Sequence, residues 1–324
     1  MKRICHLALL MSVLVLTLSC GRKSESASIG QPSVGLSHNA IYHWRTTFEL
    51  DSTEVAFVQR HNIERIYVKM FDVDIEHNFI SSSYEVVPIA TTQFVSAIPS
   101  GVEVVPVVYI TIDALRSISG CESRFGHLIV ERVLAMCNYN KCGKIKELQI
   151  DCDWTKNTKK SYNKLCEAIK ESLAAHNIRL SATIRLHQLA EDAPPVDRGV
   201  LMLYNTGALK NSKTRNSILD IADVKPYIKR GRYPLPLDYA YPVFGWGVKF
   251  TGDKFEAIVP EGDTAVGSDQ TIRNERPTAE EILEVKALVE RYLGRPANGN
   301  ILYHLDYSQL KNYTDEQIVQ IFAY

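Results

Sequence analysis

Residues 148–155, LQIDCDWT, set two carboxylates one residue apart at the end of an apolar run, with Trp154 directly after the second. On a strand, aspartates at this spacing share a face. Like charges held together raise at least one pKa, so Asp151 and Asp153 could position water, act as general acid and base, or hold a sugar hydroxyl. The plainer reading is that they neutralise a cation inside the fold, for which Arg185, Lys69 and Arg45 are candidates. FDVD repeats the pattern with Asp72 and Asp74, the second of which could simply begin a loop. Asp238 and Asp306, near other strand ends, are the candidates for a second catalytic carboxylate.

Aromatic side chains cluster in the segment YPLPLDYAYPVFGWGVKF, which offers Tyr239, Tyr241, Phe244 and Trp246. With Trp44 and Trp154 at strand ends they could stack on a ligand, although any one of them could equally fill a core. His187, Tyr204, Asn205 and His304 are further candidates for binding. No HxH or HExxH spacing supports a metal, no GxGxxG or Walker motif supports a nucleotide cofactor, and no GxSxG elbow supports a serine triad. The expectation is a site without metal or cofactor.

These residues need a frame. From Ala40 onward, eight short apolar runs alternate with helical patterns: AIYHWRTTF, RIYVKMFDVD, VEVVPVVYIT, KELQIDCDWT, IRLSATIRLHQ, GVLMLYNTG, LPLDYAYPVFGWGVKF and NILYHLDYSQL. Between them, Asp51 with Glu54, Thr278 with Glu281 and Thr314 with Gln317 form capping boxes that open helices. Tyr162, Leu165, Cys166, Ile169 and Leu173 draw an apolar stripe along the helix after strand four. The order predicts an α/β fold, a single (β/α)8 TIM barrel, ahead of an open doubly wound sheet. Helices cover the outside of such a barrel, so Gln149, Asp151 and Asp153 on strand four and Ser181, Thr183, Arg185 and His187 on strand five should face inward. His43, Arg45, Lys69, Tyr109, Asn205, His304 and Asp306 are assigned to the same face, giving a polar lumen.

The chain has 324 residues, 45% of them hydrophobic, with 37 basic and 37 acidic side chains. That balance provides no basic field for nucleic acid. Lys2 and Arg3 precede an apolar run ending in TLSC, a secretory signal over residues 1–19 that is too short for a comfortable membrane span. The TLSC end is similar to a bacterial lipobox, which implies diacylglycerol on Cys20, a polar tether over residues 20–38 and a barrel over 39–324. Gly21 after the cysteine implies the outer membrane of a Gram-negative envelope, and membrane attachment through that lipid. Of the remaining cysteines, Cys121, Cys137, Cys142, Cys152 and Cys166, an odd number cannot pair completely. Cys137 and Cys142 (CNYNKC) could form a disulfide or half a metal site, while Cys152 and Cys166 read as buried thiols. Composition leaves the oligomeric state open.

The end of strand four resembles the DGxDxDxE motif of family 18 glycoside hydrolases, the chitinase-type barrels. Asp151 and Asp153 fall on its second and third aspartates, and LMLYN places Met202, Tyr204 and Asn205 on the family's MxYD. The resemblance implies a carbohydrate ligand, with Asp153 orienting an N-acetyl group and Tyr204 steadying it. Thr155 stands where the family has its proton-donating glutamate, Asn205 replaces an aspartate, and the strand-three SxGG is absent. YHWRTTF, FDVD, QIDCDWT, LSATIRLHQ and YPLPLDYAYPVFGWG are also similar to an uncharacterised family of bacterial lipoproteins, a likeness that spans nearly the whole mature chain and implies no activity. Two expectations follow: a glycoside hydrolase working through a carboxylate pair, or an inactive barrel that binds glycan or serves as a structural lipoprotein.

Overall fold

The computed structural model describes residues 38–79, 82–229, 231, 233–264 and 267–324, which fall in one unit, Leu36–Tyr324. The expected signal peptide, Cys20 and nearly all of the expected tether lie outside the described residues. Among those described, no helix is long and apolar enough to cross a membrane.

Eight parallel strands close into a barrel, as the sequence predicts. In chain order, strands one to eight are Asn39–His43, Ile63–Asn78, Glu103–Ile110, Glu147–Asp151, Arg179–Ile184, Arg198–Met202, Leu237–Pro242 and Asn300–Tyr303. Each pairs with the next, strand eight pairs with strand one, and pairing of strands one and two completes the ring. All three expected capping boxes form, at the helices Ser52–Arg60, Ala279–Leu293 and Asp315–Phe322. The helix Lys159–Ala174 buries the predicted stripe.

Two features interrupt the regular alternation. Strand two runs past the barrel to Asn78 and turns back as an antiparallel hairpin with Ser83–Ile89. The long aromatic segment after strand seven, read from sequence as one strand, breaks at residues 243–245. It resumes as Trp246–Thr251, the centre of an antiparallel sheet flanked by Lys254–Val259 and Gln270–Glu275. Gly245 permits that break, since a Cβ there would lie 2.8 Å from the Glu275 carbonyl oxygen. Among the described residues, a 3-10 turn, Leu186–Ala190, follows strand five, and a four-residue helix, Ile221–Val224, follows strand six. Between these two connections a depression opens that Leu186, Tyr204 and Tyr227 line.

Strand alternation sorts the core into two layers. Ile66, Val68, Leu148, Ile150, Leu180 and Ala182 face outward and pack under the helices. Tyr42, Tyr67, Val105, Val107, Val200, Met202, Ala240 and Ile301 face the lumen. The lumen is therefore polar only in part: its charged groups gather at the two ends, and apolar side chains fill most of its middle, as barrel packing favours. A polar chain still crosses it, the Tyr42 hydroxyl donating to Gln149 at 2.7 Å and Gln149 donating to Ser181 at 3.5 Å. Strand two changes phase on the way up. A bulge between Lys69 and Phe71 leaves both Met70 and Phe71 outward, the Met70 carbonyl accepting from the Thr92 N–H at 2.8 Å, and so turns Asp72 inward.

The N-terminal end of the lumen is closed by buried ions. Arg198 contacts Asp238, Glu147 at 3.4 Å and the Tyr67 hydroxyl at 3.1 Å, while Arg65 approaches Glu103 at 3.4 Å. Asp238 also accepts from the backbone N–H groups of Asn298 and Gly299 at 2.7 and 3.3 Å. Removing the central cation leaves two carboxylates in a place that water does not reach. Arg198→Met should cost about 3–5 kcal/mol, read as a lower urea midpoint, whereas a midpoint within error of wild type would contradict this account of the plug.

Candidate functional site

The C-terminal ends of strands four, five and six meet at the open side of the rim. Arg185, the first residue past strand five, donates through Nε to Asp153 and through Nη2 to Asp151 at 3.5 Å. The Thr183 hydroxyl donates to the same Asp151 oxygen at 2.6 Å. The expected carboxylate pair and its counter-ion are thus brought together, and both aspartates touch one guanidinium. They differ in setting, because Asp151 is buried while the Asp153 side chain is 44% exposed.

Burial raises the Asp151 carboxyl above its usual range, with Arg185 and the Thr183 hydroxyl acting against the rise. Burial works against the Arg185 cation too, but Asp151 and Asp153 outweigh it and hold the guanidinium firmly protonated. On strand three, the Tyr109 hydroxyl is pushed up to about 12, by burial and then by Asp153 and Asp151. Lys69 pairs with Asp72 at 3.0 Å, and Asp74 accepts from the Thr111 hydroxyl at 2.7 Å, so the FDVD pair is committed to neighbours as well.

Beside this cluster lies a depression of about 380 Å³ lined by Asp153, Arg185, His187, Met202, Tyr204, Asn205, Thr206 and Tyr227. It brings together six of the residues singled out from sequence. Asn205 reaches it from a left-handed backbone position with φ +55°, a conformation asparagine tolerates better than most residues. His187 sits exposed on the 3-10 turn and also lines two neighbouring depressions, one with Trp154, Thr155 and Lys156 and one with Tyr227, Lys229 and Tyr233. Tyr204 stacks on Tyr303 with ring centroids 4.3 Å apart, and its buried hydroxyl has no hydrogen-bond partner among the described residues. Tyr303, which sequence reading passed over in favour of His304, belongs to an aromatic group with Trp44 and Phe244 at 5.9 and 5.7 Å. Its signal was parity with Ile301, which faces the lumen.

Several expected positions are corrected. Asp238 lies in the ionic plug at the opposite end of the barrel from Asp153. Asp306 caps the short helix Tyr307–Leu310, accepting from the Ser308 N–H at 2.9 Å and from its hydroxyl at 2.6 Å. Trp154 is buried in the outer layer, stacked on Tyr162 at 5.7 Å, because it shares parity with the outward Ile150 and Cys152. Tyr239 is outward for the same reason and donates to the Gly294 carbonyl at 2.8 Å. Trp246 donates through its indole N–H to Glu275 at 2.9 Å and packs against Phe244 rather than lining the depression. His43 and Arg45 leave the lumen to Tyr42 and Trp44. His43 is buried against Phe48, its pKa lowered to about 3 by burial and by Arg45, and Arg45 pairs with Glu54 at 2.8 Å. His304 is half-buried beside Phe244, and its partial loss of solvation lowers its pKa. Among the described residues, no group of three His, Cys, Asp or Glu side chains is placed to hold a metal.

Because the folded Asp151 carboxyl titrates above the unfolded value of about 3.9, folding takes up a proton between those two values, and stability falls as pH rises through that window. Asp151→Asn removes this dependence. Its stability relative to wild type should climb as pH rises from about 4 through the window, measured as urea midpoints at successive pH values. An offset that stays constant with pH would contradict the raised pKa.

No protein-family model matches the chain, and no curated protein sequence does. Solved structures match its fold. A chitinase from Chromobacterium violaceum ATCC 12472 superposes with a TM-score of 0.55 at 10% identity, covering 88% of this chain and 98% of that one. The spore cortex-lytic enzyme SleL of Bacillus cereus gives 0.54 at 14% identity, over 89% of this chain and 74% of that one. The Group IV chitinase of Ostrinia furnacalis, solved in complex with allosamidin, gives 0.54 at 11% identity, over 88% and 97%. At such identities the likeness is one of fold, and the chain has the (β/α)8 barrel fold of chitinase-type glycoside hydrolases.

Proposed function

We propose that the protein is a lipid-anchored envelope protein that holds a glycan at the C-terminal mouth of its barrel, without the acid–base cleavage of chitinase-type enzymes. The observation that supports this reading best is Arg185. Its guanidinium holds one oxygen of each carboxylate that would orient substrate and move protons, and so competes with a substrate for both. Thr155 stands at the position of the acid in the resembling motif, and a threonine hydroxyl cannot donate a proton at neutral pH. Asp238 and Asp306, the expected second carboxylates, are occupied elsewhere. What the mouth offers instead is a ring of fixed polar groups beside tyrosine faces, the composition of a sugar site. The anchor rests on the TLSC motif and Cys20, and the envelope location on the signal that precedes them.

A hydrolytic reading draws on one observation, the split between the two aspartates. A buried carboxyl with a raised pKa beside a more exposed one is how environment separates an acid from a base. A panel of glycans that includes chitooligosaccharides distinguishes the two readings when binding and reducing-end release are both measured. The expected result is binding without release, weakened about tenfold or more in Arg185→Ala, since a hydrogen bond to a charged group contributes about 1.5–3 kcal/mol. Release abolished by Asp153→Asn would establish hydrolysis instead, and a panel without any binder would remove the glycan reading.

A further inference from the structure

The helix Glu122–Tyr139, which leads from strand three towards strand four, ends in a Schellman turn. Lys141 takes φ +53° and donates its N–H to the Asn138 carbonyl at 3.2 Å, and the Cys142 N–H reaches back to the Cys137 carbonyl at 2.9 Å. In this motif the side chains at the two ends of the longer hydrogen bond meet, usually as an apolar contact. Here those two positions are both cysteine. Cys137 and Cys142 are 3% and 4% exposed, and their thiols hydrogen-bond to one another.

The other cysteines among the described residues do not compete. Cys121 precedes the first turn of the same helix, whose 18 residues set it roughly 27 Å from the last. Cys152 is buried under the helix Lys159–Ala174, and Cys166 lies on the buried face of that helix. All five are thiols in this structure.

We infer that Cys137 and Cys142 are a disulfide-forming pair, a covalent staple between the end of this helix and the segment that enters strand four. The hydrogen bond from Cys137 lowers the Cys142 pKa against the effect of burial, so Cys142 is the first thiolate available. Fraying of the helix end exposes it to an external disulfide, one sulfur of which it attacks, expelling a thiolate. Cys137 then loses its proton to solvent and attacks the Cys142 sulfur of the mixed disulfide, expelling the second thiolate. The pair gives up two protons and two electrons, and the external disulfide becomes two thiols. The staple lies close before Glu147–Asp151, the strand that carries the site.

Purified full-length protein is incubated with glutathione disulfide, its remaining thiols are blocked with iodoacetamide, and it is digested with trypsin without reduction. Cleavage after Lys141 separates the two cysteines, so the bond appears as peptides 133–141 and 142–144 joined until dithiothreitol is added. The joined pair is expected equally in wild type and in Cys121→Ser. Cys137 and Cys142 recovered alkylated or as glutathione adducts, or linked to another cysteine, would overturn the inference. Because the oxidant is supplied in vitro, the result depends neither on export nor on glycan binding.

Discussion

A guanidinium placed inside a closed sheet has to be neutralised where it stands. The barrel meets that constraint twice, once at each end of its lumen. Arg198 is surrounded at the N-terminal end by Asp238, Glu147 and the Tyr67 hydroxyl, and Arg185 meets Asp151 and Asp153 at the C-terminal end. Between them the lumen holds tyrosine, valine and methionine. The two clusters are separate solutions to the same electrostatic problem, and only the second faces an opening; sequence analysis named the members of the second but, of the first, Asp238 alone.

That arrangement bears on chemistry. A carboxylate pair becomes catalytic when its members are free to exchange protons with a substrate, and here a shared cation engages one oxygen of each. The same ion triplet, fixed by Thr183 from below, is a rigid set of donors and acceptors, and rigidity favours recognition because little ordering entropy is lost when a ligand arrives. A scaffold shared with enzymes need not keep their reaction, since function resides in the site grafted onto the fold.

Much of the fold was legible in the sequence because it is written in period and punctuation. Three capping boxes, one helical stripe and the barrel strands of all eight apolar runs appear in the expected order, the seventh run ending its barrel strand at Pro242. The Asp151, Asp153 and Arg185 constellation was legible for the same reason, as two-residue spacing on adjacent strands. The misplacements share a cause. Trp154, Tyr239 and His43 were assigned by their chemistry to the mouth or lumen, whereas strand parity, readable from Ile150, Tyr241 and Ile41, turns them outward. Asp238 was on the correct face but at the wrong end, because a long aromatic run hid where strand seven stops. The inserted sheet was not legible, since its break depends on how closely the Glu275 backbone approaches Gly245, a contact between residues thirty positions apart.

The bulge at Met70 makes strand two a ribbon with two phases. Below it, odd-numbered residues belong to the lumen; above it, even-numbered ones do, so Tyr67 and Asp72 both face in although ordinary alternation forbids it. One extra residue thus uncouples the lettering of the rim from that of the packed interior. Substitutions above the bulge can rewrite what the mouth presents while the register below it, and the ionic plug beneath, stay as they are.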